Sequence, residues 1–139
     1  MSKKVILCCC FVAALAFVLT VAVQPAHAIK PFSDEFSAKY VKQDSKEKKD
    51  QDFAKLVAEA KCNVCHTGKS KKDRNPYGVE LAKLLDKATD KDNKEKIQDV
   101  LSKVEKLPSD AKDKKSPTFG DLIKAGKLPG GESAEKKEG

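Results

Sequence analysis

The chain is poor in side chains that bind metals or form crosslinks. Its 139 residues include one Met, two His, five Cys and no Trp. The Met, one His and three of the Cys lie within the first 28 residues, which form an apolar segment. Beyond that segment only Cys62, Cys65 and His66 remain. They allow a single disulfide pair, and they are too few for a metal site built from four Cys or His ligands.

The first 28 residues have the order of a secretory signal. Two lysines precede an apolar run from Val5 to Val23, and Ala26-His27-Ala28 offers a small-x-small cleavage site. Cleavage after Ala28 predicts a periplasmic or otherwise exported protein with no stable membrane insertion. The alternative is an uncleaved membrane anchor, because the apolar run approaches the ~20 residues that span a bilayer.

The chain is strongly charged, with 28 basic and 21 acidic residues and a formal net charge of +7. Lysines are interleaved with acids and Arg74 is the only arginine, so a solvated basic surface is expected and nucleic-acid binding is not. A chain this polar has little apolar material to bury. A bound prosthetic group that serves as part of the core would therefore explain how it folds.

The apolar spacing predicts an all-α protein, because helical periodicity recurs and strand-like alternation does not. Four segments are predicted: a signal peptide over residues 1–28, an N-terminal arm with a short helix over 29–51, a helical domain over 52–130 and a disordered tail over 131–139. Helix starts are predicted at capping residues, namely Ser33, Asp52, Asn75 with Pro76, Asp92 and Thr118.

The segment Cys62-Asn63-Val64-Cys65-His66 is the attachment signature of c-type haem. Two thiols at this spacing can each add to one vinyl group of a porphyrin, and the adjacent imidazole can ligate the iron. A thioredoxin-like redox pair would need a strand–helix context, and a zinc site would need a fourth ligand. The sequence therefore predicts one covalent haem c, with Cys62 and Cys65 as thioether positions and His66 as the iron ligand.

With these residues the chain resembles a monohaem c-type cytochrome of the class I kind, which has an N-terminal CxxCH motif. The resemblance covers about Asp52 to Leu128 and rests on C-N-V-C-H, on N-P-Y-G after it, and on Ser116-Pro117-Thr118-Phe119. Four-helix-bundle cytochromes carry the motif near the C-terminus, whereas 73 of the 139 residues follow His66 here. The resemblance implies a small cytochrome c-like fold of four or five short helices around the haem.

The family usually holds the far side of the iron with a Met in a Met-Pro-x-Phe-like loop, and Ser116 stands at that position here. The distal ligand is therefore not implied by the resemblance. A lysine amine, a tyrosine oxygen, the mature N-terminus, an open site or a partner subunit all remain possible. The candidate residues are Tyr77, Lys112, Lys114, Lys115 and the α-amine of Ile29.

The resemblance implies electron transfer through Fe(II)/Fe(III) cycling, with redox partner proteins that present an acidic docking surface to the lysines. Two alternatives remain: binding or sensing of a diatomic gas such as NO or CO at an open distal site, and service as the haem subunit of a larger redox complex. The chain by itself is not expected to be an enzyme, because it has no paired acid and base constellation.

Overall fold

The computed structural model describes residues 30–68 and 72–131. Within these ranges the chain is helical and forms no β-strand, which confirms the all-α prediction. The predicted signal peptide, Ile29 and the tail beyond residue 131 lie outside the described residues. None of the helices in the described ranges is both long enough and apolar enough to cross a membrane.

The described residues form six α-helices and one short 3₁₀ helix. Their bounds are α1 Lys30–Tyr40, α2 Lys48–Ala60, the 3₁₀ helix Lys61–Val64, α3 Pro76–Leu84, α4 Lys87–Asp90, α5 Lys94–Val104 and α6 Phe119–Lys124. Six α-helices exceed the four or five expected, and the short helix α4 results from a break after α3. Leu85 is extended, and the Asp86 carboxylate accepts the amide protons of Ala88 and Thr89 at 2.7 and 3.2 Å, which starts α4.

Two of the predicted helix starts are confirmed in detail. The Asn75 side chain accepts the Gly78 amide proton at 2.9 Å, and Pro76 is the first residue of α3. The Thr118 hydroxyl accepts the Asp121 amide proton at 3.0 Å, and the Asp121 carboxylate accepts that of Thr118 at 3.0 Å. This reciprocal pair is a capping box, and it fixes the start of α6.

Three other predicted starts are displaced. Helix α1 already includes Lys30, so Ser33 lies inside it. Helix α2 begins at Lys48, four residues before Asp52, and the predicted domain boundary at residue 52 falls within it. The charged residues there support the helix, because Lys48 and Asp52 form an ion pair at 2.8 Å with i,i+4 spacing. Helix α5 is capped by Asn93, one residue later than predicted.

Helix α5 is central to the core, since α1, α3 and α4 all pack against it. Aromatic rings from three helices contact one another. The ring centroid of Tyr77 in α3 lies 5.9 Å from that of Phe36 in α1 and 5.2 Å from that of Phe119 in α6. The predicted N-terminal arm therefore supplies part of the core. The buried apolar side chains are Phe36, Phe53, Val57, Val64, Tyr77, Leu85, Ile97, Val100, Leu101, Val104, Phe119, Ile123 and Leu128.

Candidate haem-attachment site

Helix α2 leads directly into the motif and ends at Ala60, where the backbone changes conformation. Phe53 and Val57 are buried on its inner face. Lys61 then adopts φ 49° and ψ −112°, a conformation that favours glycine, while its amide still donates to the Val57 carbonyl. The change of direction begins the 3₁₀ helix, in which Val64 is buried and Cys62 is exposed.

The two cysteines are free thiols in different surroundings. Cys62 is exposed, whereas Cys65 is partly buried. Burial raises the pKa of Cys65 to about 12, with a smaller contribution from the neighbouring Cys62, so this group is a neutral thiol at physiological pH. The Cys62 carbonyl accepts the amide protons of Cys65 and His66 at 3.2 and 3.0 Å, which holds the motif in one tight turn.

The His66 side chain is oriented by a main-chain oxygen. Its Nδ1 lies 3.2 Å from the carbonyl oxygen of Asp73, which also accepts the Thr67 amide proton at 3.0 Å. An antiparallel bridge between His66 and Arg74 closes the loop between them. Imidazoles that ligate metals commonly donate their second N–H to such a carbonyl. With Nδ1 as the donor, Nε2 carries the lone pair that an iron would need.

Asn75, at the other end of the loop that follows His66, forms hydrogen bonds with the motif. Its side-chain amide donates to the carbonyl oxygens of Asn63 and Val64 at 3.1 and 3.0 Å, and its main-chain amide donates to that of Cys65 at 3.2 Å. Gly78 lies so close to the Cys65 carbonyl that a Cβ at this position would overlap it. The sequence predicted Asn75 only as a helix cap, and nothing in the sequence indicates its contact with the motif.

Tyr77, a candidate distal ligand, is fully buried in the aromatic cluster. Its hydroxyl has no hydrogen-bond partner among the described residues. Desolvation by burial raises the pKa of Tyr77 far above its ordinary value, with smaller contributions from Tyr40, Cys65 and Glu105. The side chain is therefore a neutral phenol, and it packs in the core eleven residues after His66.

The other distal candidates lie on or near the connector between α5 and α6. Lys112, Lys114 and Lys115 are exposed there. The Ser116 hydroxyl, at the position of the expected Met, accepts the Asp110 amide proton at 3.1 Å and so stabilises the connector itself. Ile29 lies outside the described residues. The structure thus brings Cys62, Cys65 and His66 together in one turn and leaves the choice of distal ligand open.

The residues of the motif fit the attachment of a haem. The two thiols are free and the imidazole has the required tautomer if Nδ1 donates to Asp73. Within residues 30–68 and 72–131, no group of three or more His, Cys, Asp or Glu side chains is placed so that it could hold a metal ion. Surface grooves of about 860 Å³ beside α1 and about 390 Å³ beside Arg74 and Lys83 do not include the motif. The fit of these residues to a haem therefore depends on the two thiols, on the imidazole and on the hydrogen bonds that hold the motif in place.

Comparisons with protein-family models, with curated proteins and with solved structures found no match for this chain. The resemblance to c-type cytochromes therefore stays a prediction from the sequence motifs.

Proposed function

We propose that this chain is an exported c-type cytochrome that carries one covalent haem c and transfers electrons between redox partners. Cys62 and Cys65 provide the two thioether sulfurs, and His66 ligates the iron through Nε2. The observation that carries the proposal is the contact between His66 Nδ1 and the Asp73 carbonyl at 3.2 Å, because it prepares the imidazole for a metal on its other nitrogen.

The bound haem supplies a reversible one-electron couple. The residues of the chain hold the haem and set its reduction potential. Donation from Nδ1 to the Asp73 carbonyl fixes the imidazole ring and makes Nε2 a better donor. Since Ser116 stands where a Met is expected, the reduction potential should lie below that of cytochromes with Met and His ligands.

Exposed lysines provide the surface for redox partners. Lys106, Lys112, Lys114 and Lys115 are exposed on the segment that follows α5. Their positive charge would attract an acidic docking face and speed the encounter, an effect that weakens as the salt concentration rises. The predicted signal peptide would deliver the chain to the compartment in which such partners are found.

A second candidate function is the binding of NO or CO, and one observation favours it. The Ser116 hydroxyl is engaged in the connector, and the Tyr77 phenol is buried and neutral. Neither residue therefore offers a strong distal ligand, and an open iron position would admit a diatomic gas. Closure of that position by a partner subunit is the third possibility, and it would make the chain part of a larger redox complex.

The spin state of the purified ferrous protein and its reaction with CO separate these functions. Electron carriage predicts a six-coordinate, low-spin haem that does not bind CO. A high-spin haem that binds CO rapidly and tightly would favour gas binding instead. Substituting Lys112, Lys114 and Lys115 one at a time by Gln tests the lysine candidates, because loss of a ligand would convert a low-spin spectrum to a high-spin one.

A further inference from the structure

The side chain of Asn75 connects the start of α3 to the attachment motif. It is 95% buried, with a relative exposure of only 5%. Its Oδ1 accepts the Gly78 amide proton at 2.9 Å, and its Nδ2 donates to the carbonyls of Asn63 and Val64 at 3.1 and 3.0 Å. Both N–H donors of this amide are therefore directed to the motif, and its oxygen is directed to the first turn of α3.

Only the side-chain oxygen of Asn75 is needed to cap a helix. An N-cap requires an acceptor oxygen, and Ser, Thr or Asp would provide one as well as Asn. The two N–H donors serve the motif alone. Together with the main-chain amide of Asn75, which donates to Cys65, they satisfy three consecutive carbonyls, those of Asn63, Val64 and Cys65.

Two glycines keep this contact tight. A Cβ at Gly78 would overlap the carbonyl of Cys65, and a Cβ at Gly130 would overlap the side-chain amide of Asn75. Helix α3 can therefore lie directly against the motif, and the backbone at Gly130 can approach the Asn75 side chain. The amide is buried, so its donors are satisfied by the motif carbonyls and not by solvent.

We propose that Asn75 is a positioning residue for haem attachment, whose amide holds the backbone from Cys62 to His66 in one fixed arrangement. The inference rests on the proposed function. Each thiol adds across one vinyl group, with the sulfur bonding to one carbon and a proton going to the other, so no oxidant or reductant is consumed. Both additions and the iron ligation must involve the same ring. The first thioether makes the second addition intramolecular, and a segment held in advance keeps the second thiol oriented toward the same ring.

The test uses the full chain, exported by bacteria that contain haem-attachment machinery, as wild type and as Asn75→Asp and Asn75→Ser. Both substitutions keep an oxygen that caps α3, and both remove the paired N–H donors. Asn93→Asp is the matched control, because Asn93 caps α5 through an oxygen that lies 3.0 Å from the Lys96 amide nitrogen. Circular dichroism establishes that each variant is folded, and Asn75→Ser excludes an effect of the added charge.

Two quantities are measured: the fraction of chains with two thioethers, by mass spectrometry of tryptic peptides, and amide hydrogen exchange in the peptide that contains residues 62–66. In both Asn75 variants we expect roughly tenfold faster exchange in this peptide and a several-fold larger fraction with one thioether or none. Asn93→Asp should match the wild type in both. Wild-type attachment in the folded Asn75 variants would overturn the proposal, whatever their exchange rates.

Failure of the proposed function would be recognised separately. If the wild type itself carries no haem, the proposed function is wrong. The exchange measurement then decides alone whether Asn75 restrains the motif: wild-type rates in Asn75→Asp and Asn75→Ser would contradict the restraint, and faster rates limited to residues 62–66 would support it.

Discussion

The Nδ1 atom of His66 lies 3.2 Å from the main-chain oxygen of Asp73, at the two ends of a loop closed by the bridge between His66 and Arg74. The acceptor belongs to the backbone, so the identity of the side chain at position 73 does not control it. The orientation of the imidazole therefore depends on closure of the loop. Asn75, directly after the bridge, ties this loop to the carbonyl of Cys65 at 3.2 Å.

Replacing Lys61 by Gly should stabilise the protein. Lys61 has φ 49° and ψ −112°, which a residue with a Cβ adopts at a cost of about 1–3 kcal/mol. Glycine adopts it without that cost but loses more conformational entropy on folding, so a net gain of about 1 kcal/mol is expected. The free energy of unfolding from chemical denaturation measures it.

Ala60→Gly is the matched control for Lys61→Gly. Ala60 has helical angles, φ −67° and ψ −34°, so glycine there should cost about 0.5–1 kcal/mol. Opposite signs at two adjacent positions would identify the backbone conformation of Lys61 as the cause. Destabilisation by both substitutions would contradict the account of how α2 ends.

The ion pair between Asp90 and Lys96 should make stability depend on pH in the acid range. Its Nζ to Oδ2 distance is 2.6 Å, and the Asp86 amide donates to the same carboxylate oxygen at 2.8 Å. The hydrogen bond from Lys96, followed by that from Asp86, lowers the pKa of Asp90 below its ordinary value of 3.8. A lowered pKa contributes stability above the ordinary value, and this contribution is lost as the pH falls through the folded-state pKa.

Asp90→Asn should therefore lower the free energy of unfolding at pH 7, and its difference from the wild type should shrink as the pH falls below about 3.8. Asp99→Asn is the control, because the Asp99–Lys103 pair is exposed and should contribute at most about 0.5 kcal/mol. A difference for Asp90→Asn that is as large at pH 3 as at pH 7 would show that the ion pair is not its source.

Tyr77, in the core, and Tyr40, partly buried against it, should respond differently to removal of their hydroxyls. Tyr77→Phe removes a buried hydroxyl that lacks a partner, so the free energy of unfolding should stay constant or rise. Tyr40→Phe removes a donor that lies 2.7 Å from the Glu105 carboxylate and 3.1 Å from the Leu101 carbonyl oxygen, and should cost about 1.5–3 kcal/mol.

The absorption spectrum of the haem protein with Tyr77→Phe tests Tyr77 as a distal ligand at the same time. We expect the wild-type spectrum, since burial raises the pKa of Tyr77 and disfavours the tyrosinate that would bind iron well. A change of spin state in this variant would instead identify Tyr77 as the ligand.

Local capping signals predicted much of this fold. Asn75 with Pro76 and Thr118 start helices where the sequence indicated, because a cap depends on the side chain and the next three residues alone. Helix α2 begins earlier than the sequence predicts, because the charge run before Asp52 is typical of a polar connector. In the structure those charges pair along a helix, as Lys48 and Asp52 do.

The contacts that brace the motif could not be predicted in the same way. The motif itself is contiguous, so the sequence alone is enough to predict Cys62, Cys65 and His66 as a site. The acceptor for His66 is seven residues away, and the donors from Asn75 reach carbonyls eleven and twelve residues away. Such pairs depend on how α3 packs against the motif. The absence of a side chain at Gly78 permits this packing, because a Cβ there would overlap the carbonyl of Cys65.

Acid–organic extraction of the exported protein distinguishes covalent from non-covalent haem. Haem held by two thioethers should stay with the denatured wild-type chain, whose mass should exceed that of the polypeptide by one haem. Haem should be extracted from the variant with both Cys62→Ala and Cys65→Ala. Release of haem from the denatured wild type, or a wild-type mass equal to that of the polypeptide alone, would contradict covalent attachment and the function proposed from it.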